Sequence, residues 1–331
     1  MARILNIDYY LPEKVESNAD LASEFVDFDN KLVSEKLGIN QRHIASKDET
    51  ALDMATHAAE RVLENYDRDK IDFILLCTQS PEYYLPSGSC ILQDKLNLGN
   101  NVGAFDFNLG CSGFVYGLGI ARSFITSGMA KNVLLITSDT YSKYIHNKDR
   151  SNRSIFGDGA AACLIENGEN DFLGQFVWGT DGKGYDKLIV RNGATKNRFD
   201  NHAIEKKSGS TNIYTDNNLF MSGVDVFNFT IEQVPKVVEE ALSINNCKVD
   251  DLKYIIYHQA NDYMLTYLRK KQELPPEKFY MNIKETGNTV SSSIPLALSD
   301  LVNAGKIERG DKVLLVGFGV GLSWGATVLT Y

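Results

Sequence analysis

The sequence has no surplus of basic residues, no long apolar run and no paired cysteines, and each absence removes a class of protein. A formal charge of −9 speaks against a nucleic-acid binder, which needs a broad basic footprint to displace counterions from phosphates. No stretch approaches the ~20 apolar residues that span a bilayer. Met1 to Asp8 has no apolar core behind a basic start, so neither a membrane span nor a secretion signal is expected, and the protein is expected to be cytoplasmic. The cysteines Cys77, Cys90, Cys111, Cys163 and Cys247 are odd in number, widely spread and free of any Cys-x-x-Cys pair. That is neither a disulfide framework nor a zinc site. Gly157-Asp158-Gly159 lacks the Lys-Ser/Thr ending and the spacing of a phosphate loop, so it reads as a structural turn.

What remains is an ordinary globular composition, 43% hydrophobic and 23% charged over 331 residues, enough chain for a large α/β fold. Arg3 to Tyr9 alternates like a strand, and Ser17 and Asn18 offer N-caps for a helix through Phe25. Thr50 followed by Asp53 is a loose capping box for a helix to about Tyr66. Ile71 to Cys77 and Asn132 to Ile136 are apolar runs too short for typical helices, which suits strands covered on both faces. The stretch 192–218 is polar and poorly periodic, a long surface excursion that marks the middle of the molecule.

Beyond the excursion the first half repeats. Lys253 to Tyr257 stands 181 positions after Asp72 to Leu76, and Lys312 to Val316 stands 180 after Asn132 to Ile136. Gly325 to Leu329 answers Gly159 to Cys163 in the same order, so the chain reads as a duplicated α/β unit. The expected organisation is 1–170 as an N-terminal half, 171–218 as a connecting segment and 219–331 as a C-terminal half. In this registration Asn288 falls near Cys111, and a pseudo-twofold relation would bring the two together at the junction, where α/β sheets favour ligand sites.

Cys111 lies between Gly110 and Ser112-Gly113 where a strand-like approach opens into a helix. Unpaired N–H groups there favour an anion. Such a position can bring a cysteine from ~8.5 into a range of ~3.5–7.5, and the thiolate is the reactive form, so Cys111 is a candidate nucleophile. A small residue beside a tight turn would look the same if it stood alone. His258 directly follows the apolar run ending at Tyr257, and cysteine, histidine and a third polar group, Asn288, are the parts of an activated thiol nucleophile. The Gly317-Phe318-Gly319-Val320-Gly321 turn can supply the backbone donors that a tetrahedral intermediate requires.

Gly110-Cys111-Ser112-Gly113-Phe114, His258-Gln259-Ala260-Asn261, Gly287-Asn288-Thr289 and Gly317 to Gly325, in this order, resemble the β-ketoacyl-acyl carrier protein synthase III family. Gly38 to Ala45 and Phe156 to Ala160 resemble it too. The resemblance implies a thiolase-like fold, two related halves in a five-layer α/β/α/β/α stack, usually a homodimer. It implies that Cys111 takes an acyl group from an acyl thioester of carrier protein or coenzyme A, with the backbone N–H groups of Cys111 and Val320 holding the oxyanion. Malonyl-carrier protein then enters, and His258 and Asn288 donate to its thioester oxygen as carbon dioxide leaves. The enolate attacks the acyl-cysteine. Val320 replaces the family's usual glycine and is expected to narrow the site. No metal and no redox cofactor is implied.

The same resemblance makes Leu85, in Tyr83-Tyr84-Leu85-Pro86, a pocket cap contributed across the dimer. Arg150 matches one side of a clamp on the adenine of coenzyme A, but Asp29 to Val33 lacks the Trp of the other side. Stacking on an aromatic is worth ~1–3 kcal/mol, so carrier protein is expected to load Cys111 faster than coenzyme A. Arg269-Lys270-Lys271 matches the basic patch that meets the acidic helix of acyl carrier protein, although Tyr263 stands where an Arg is usual. A same-fold acyltransferase passing the acyl group to a hydroxyl or amine is the alternative, and Asn288 argues for condensation. A non-catalytic partner subunit would typically have lost the nucleophile.

Overall fold

The computed structural model describes residues 1–25, 28–168, 173–209 and 212–331. Its centre is built from short apolar strands. Phe73–Cys77 runs parallel to Gly103–Phe107 on one side and to Asn132–Asp139 on the other, with Leu75 opposite Phe105 and Leu135. Gly159–Asn167 and then Ala2–Tyr10 add antiparallel to the far edge. Because side chains alternate along a strand, Leu75 enters one core while Ile74 and Leu76 enter another. That double burial is why the run reads as continuously apolar.

The second sheet has the order Leu173–Thr180, Ser323–Thr330, Lys312–Gly319, Tyr254–Tyr257, Phe279–Tyr280. Position by position this matches the first sheet taken from Ala2–Tyr10 inward. The runs matched in sequence, Phe73–Cys77 with Tyr254–Tyr257 and Asn132–Asp139 with Lys312–Gly319, occupy equivalent places. Between the sheets lie the helices Gly113–Thr126 and Ser293–Asn303, whose Phe114, Leu118, Ile294 and Leu298 are buried against strands of both sheets. Ala51–Leu63 and Gly88–Lys95 cover the outer face of the first sheet, and Gly223–Ile244 and Asp262–Lys271 that of the second. The result is the expected α/β/α/β/α stack.

Local signals set the ends of these elements. Thr50 accepts from Asp53 N–H while the Asp53 carboxylate accepts from Thr50 N–H, the reciprocal cap expected from the sequence. The helix stops at Leu63, three residues earlier than expected. The expected boundary between 170 and 171 lies outside the described residues. Within the expected connecting segment, Leu173–Thr180 forms an edge strand of the second sheet, paired with Ser323–Thr330. Leu188–Val190 and Leu219–Met221 then pair with each other and close the base of the excursion. Among the described residues no helix is long and apolar enough to cross a membrane.

Candidate active site

Cys111 sits in the turn between Gly103–Phe107 and the central helix Gly113–Thr126. It is 5% exposed and packs with Tyr141, Phe156, Leu188, Leu219 and Val290 in an apolar cluster. The strand Lys312–Gly319 of the second half lies directly against it. A Cβ on Gly319 would stand 2.9 Å from Cys111 Sγ, and one on Gly110 would stand 2.5 Å from Val320 Cγ1. Only hydrogen at both positions lets the two halves close this tightly on the sulfur.

Burial works against the helix start at this sulfur. Desolvation, followed by the nearby Asp139 carboxylate, pushes the Cys111 thiol up to about 12, against the pull of the backbone N–H groups of Val320 and of Cys111 itself. A low-dielectric setting disfavours the charged form more than a helix start favours it. Gly113 N–H, one of the first donors of that helix, is moreover taken by Gly110 O at 2.7 Å. The two donors that do reach the sulfur belong to the residues expected to form the oxyanion hole.

His258 leaves the end of Tyr254–Tyr257, its N–H bonded to Val316 O at 2.8 Å and its ring edge-on to Phe318. Burial pushes its pKa down to about 3, so the imidazole is neutral. Ser293 Oγ, which accepts from Gln259 N–H, lies 2.7 Å from Nδ1. In the tautomer in which that hydroxyl donates to Nδ1, the one ring proton sits on Nε2, 3.3 Å from Asn288 Nδ2. Two donors side by side are satisfied by one shared acceptor oxygen.

The turn that presents Asn288 is stitched to the first half. Asn288 N–H donates to Ile155 O at 2.9 Å, and Gly157 N–H donates to Asn288 O at 3.0 Å. Gly287 has φ +65°, and a Cβ there would stand 2.8 Å from Ile155 O. Val290 N–H holds Asn288 Oδ1 at 2.9 Å, which aims Nδ2 at His258. Val290 itself has φ 54°, a left-handed conformation that β-branched residues rarely adopt. Gly157-Asp158-Gly159 is the receiving surface of this stitch, and Asp158 accepts from Ala45 N–H and Ser142 N–H, in keeping with its structural reading.

The remaining expected site residues lie apart from this centre. Leu85 is 82% exposed, outside the cluster around Cys111. Arg150 lines a groove of about 240 Å³ with Phe28, Val33, Lys36 and Leu37. Phe28 is the aromatic that the sequence reading missed, one position before the Asp29 to Val33 window; the side chain of Leu32 lies outside the described residues. Of the basic run, Arg269 points to Leu274 O and Lys271 Nζ donates to Ile231 O at 2.7 Å, while both Lys270 and Lys271 are exposed. Tyr141, Leu188, Leu219 and Val290 also went unnoticed, since apolar residues far apart in sequence give no local sign that they meet around a sulfur. Among the described residues no cluster of His, Cys, Asp or Glu is placed to hold a metal ion.

A duplicated five-layer fold with a buried cysteine, a neutral histidine and an asparagine at the junction of its halves defines a thiolase-fold acyltransferase. The profile of the family 3-oxoacyl-[acyl-carrier-protein (ACP)] synthase III matches residues 105–182, and that of its C-terminal part matches 242–331. The chain is similar to the beta-ketoacyl-[acyl-carrier-protein] synthase III of Caldanaerobacter subterraneus, 37% identical over 100% of this chain and 98% of the relative. That of Fusobacterium nucleatum is 36% identical over 99% and 98%. A crystal structure of a 3-oxoacyl-(acyl-carrier-protein) synthase III superposes with a TM-score of 0.97 at 41% identity, covering 100% of this chain and 99% of that one. The chain belongs to the 3-oxoacyl-[acyl-carrier-protein] synthase III family and is a condensing enzyme of the transferase class.

Proposed function

We propose that this enzyme joins an acyl thioester to malonyl-carrier protein in fatty acid or related biosynthesis, with Cys111 as nucleophile and His258 and Asn288 as hydrogen-bond donors. In the first stage Cys111 Sγ attacks the thioester carbonyl, the N–H groups of Cys111 and Val320 receive the oxyanion, and the donor thiol leaves with the cysteine's proton. In the second, the malonyl C–C bond breaks and carbon dioxide departs. His258 Nε2–H and Asn288 Nδ2–H bind the enolate oxygen. The enolate carbon then attacks the acyl-cysteine carbonyl and releases the thiolate, which regains a proton, leaving a 3-oxoacyl thioester on the carrier. Neutral donors stabilise the enolate without protonating its carbon.

The observation that carries this reading is the 3.3 Å approach of Asn288 Nδ2 to His258 Nε2, with Asn288 Oδ1 already occupied by Val290 N–H. A transfer of the acyl group to a hydroxyl or amine requires a base there and makes no use of a second donor. Intact mass after exposure to acyl thioesters of graded length tests the first stage. One acyl group on Cys111 is expected, and none on Cys111→Ala; label on Cys77, Cys90, Cys163 or Cys247 would overturn the assignment.

The proposal extends to two partners. Acyl carrier protein docks beside Lys270 and Lys271, the exposed members of the basic run. A second copy of the chain covers the loop in which Tyr83, Tyr84 and Leu85 are 59%, 72% and 82% exposed, and Leu85 caps the neighbour's acyl pocket. For the donor, Phe28 offers an aromatic face beside Arg150, so the weakness toward coenzyme A expected from the missing Trp is smaller than the sequence alone implied.

A further inference from the structure

One buried ionisable group beside the nucleophile is unused by this chemistry. Asp139 ends the strand Asn132–Asp139 and is fully buried. Its Oδ1 accepts from Gln79 N–H at 2.8 Å, and its Oδ2 accepts from the Ser291 hydroxyl and, at 3.4 Å, from Ser291 N–H. No lysine, arginine or histidine pairs with it among the described residues. An unpaired buried charge is costly, and three donors converging on one group call for a group that only accepts.

The donors come from the two sides of the active site. Gln79 donates through Nε2 to Asn108 Oδ1 at 2.8 Å, and a Cβ on Gly110 would stand 2.6 Å from its Oε1, so Gln79 backs the chain leading into Cys111. Ser291 belongs to the turn that presents Asn288, whose Oδ1 is held by Val290 N–H. One carboxylate therefore grips the shelf of the nucleophile from the first half and the turn of the enolate donor from the second.

We propose that Asp139 is a positioning residue for both stages of the reaction, a clamp that keeps the loop beside Cys111 and the turn carrying Asn288 in fixed relation. The inference rests on the two-stage reading given above. Electrostatics supports the geometry. The groups facing the carboxylate are Cys77, Cys111, Tyr141, Tyr144 and Asp158, all without positive charge, and its presence raises the pKa of Cys77, Cys111, Tyr141 and Tyr144. Removing the charge therefore makes Cys111 more acidic while loosening the site.

The test uses the wild type, Asp139→Asn and Ser291→Ala, with three readouts: alkylation of Cys111 by iodoacetamide across pH, acyl loading by mass, and carbon dioxide release from malonyl-carrier protein. Asn offers one accepting oxygen where the carboxylate offers two. Asp139→Asn is therefore expected to alkylate faster than wild type at a given pH yet to release carbon dioxide at least about tenfold more slowly, as misplacement of a reacting group entails. Ser291→Ala frees only the Asn288 turn, so decarboxylation falls by a similar factor with loading within about twofold of wild type. An unchanged alkylation profile in Asp139→Asn, or wild-type decarboxylation in Ser291→Ala, overturns the clamp. So does a common loss in all three readouts that tracks a lowered melting temperature. If Asp139→Asn does not fold, the Ser291→Ala comparison decides. A wild-type protein that neither loads nor decarboxylates refutes the two-stage reading instead, and alkylation of Asp139→Asn still judges the clamp.

Discussion

At the scale of single residues the cysteine and the histidine are both neutral at rest. With its thiol pushed up to about 12, Cys111 is expected to react with iodoacetamide at a rate that climbs steadily from pH 7 to 10; a plateau below pH 8 would show a preformed thiolate. His258 bears on stability. It binds a proton only near pH 3 when folded, whereas a free imidazole does so near ~6.5, so the unfolded chain takes the extra proton between those values. Stability from this residue is therefore lost as pH falls below about 6.5, by up to about 1.4 kcal/mol per unit. Asp139, raised to about 7 by burial, acts in the opposite sense: its contribution is full below ~3.9 and fades as pH rises through about 7. Melting curves between pH 6.5 and 4 should show His258→Gln losing less on acidification than the wild type; equal losses would mean that the ring is not held neutral. Residue types and spacing were enough to single out Cys111, His258 and Asn288, because chemistry restricts which side chains can do the work. Their protonation was not legible, since it depends on burial by chains distant in sequence.

Among the elements, the Asn288 turn is the one on which the proposed second stage depends. Asn288→Ala should still become acylated but release carbon dioxide from malonyl-carrier protein at least about a hundredfold more slowly, the usual cost of deleting one oxyanion donor. Normal decarboxylation by that variant would return the heteroatom acceptor to favour. The Ala51–Leu63 helix offers a simpler measurement. Thr50→Ala removes the reciprocal cap with Asp53 and should lower stability in urea by about 1 kcal/mol. This cap was readable because its two partners are three residues apart. The strand Leu173–Thr180 was not, because its partner Ser323–Thr330 lies at the other end of the chain and nothing local in 171–218 tells an edge strand from an extended connection.

For the whole molecule, duplication divides the proposed labour: one half supplies the sulfur, the other the His258 and Asn288 donors, and the two meet at the junction of the halves. The matching offsets made the duplication readable, while the order of the sheets' edge strands needed coordinates. If a second copy completes the pocket, Leu85→Asp should shift sedimentation toward monomer and slow loading of longer acyl chains first; a fully active monomer at nanomolar concentration would refute the shared pocket. Lys270→Glu should slow loading from acyl carrier protein more than from acyl-coenzyme A, whereas Phe28→Ala should do the reverse. The contact of Gly319 with Cys111 has a consequence for inhibition. Any side chain at 319 would press on the sulfur, with its Cβ 2.9 Å away, so a covalent inhibitor seated against that glycine rests on a surface the enzyme cannot alter and still function. Escape mutations would have to arise among the more permissive apolar residues, Leu188, Leu219 or Val320, and compounds built toward the glycine side should be the slower to meet resistance.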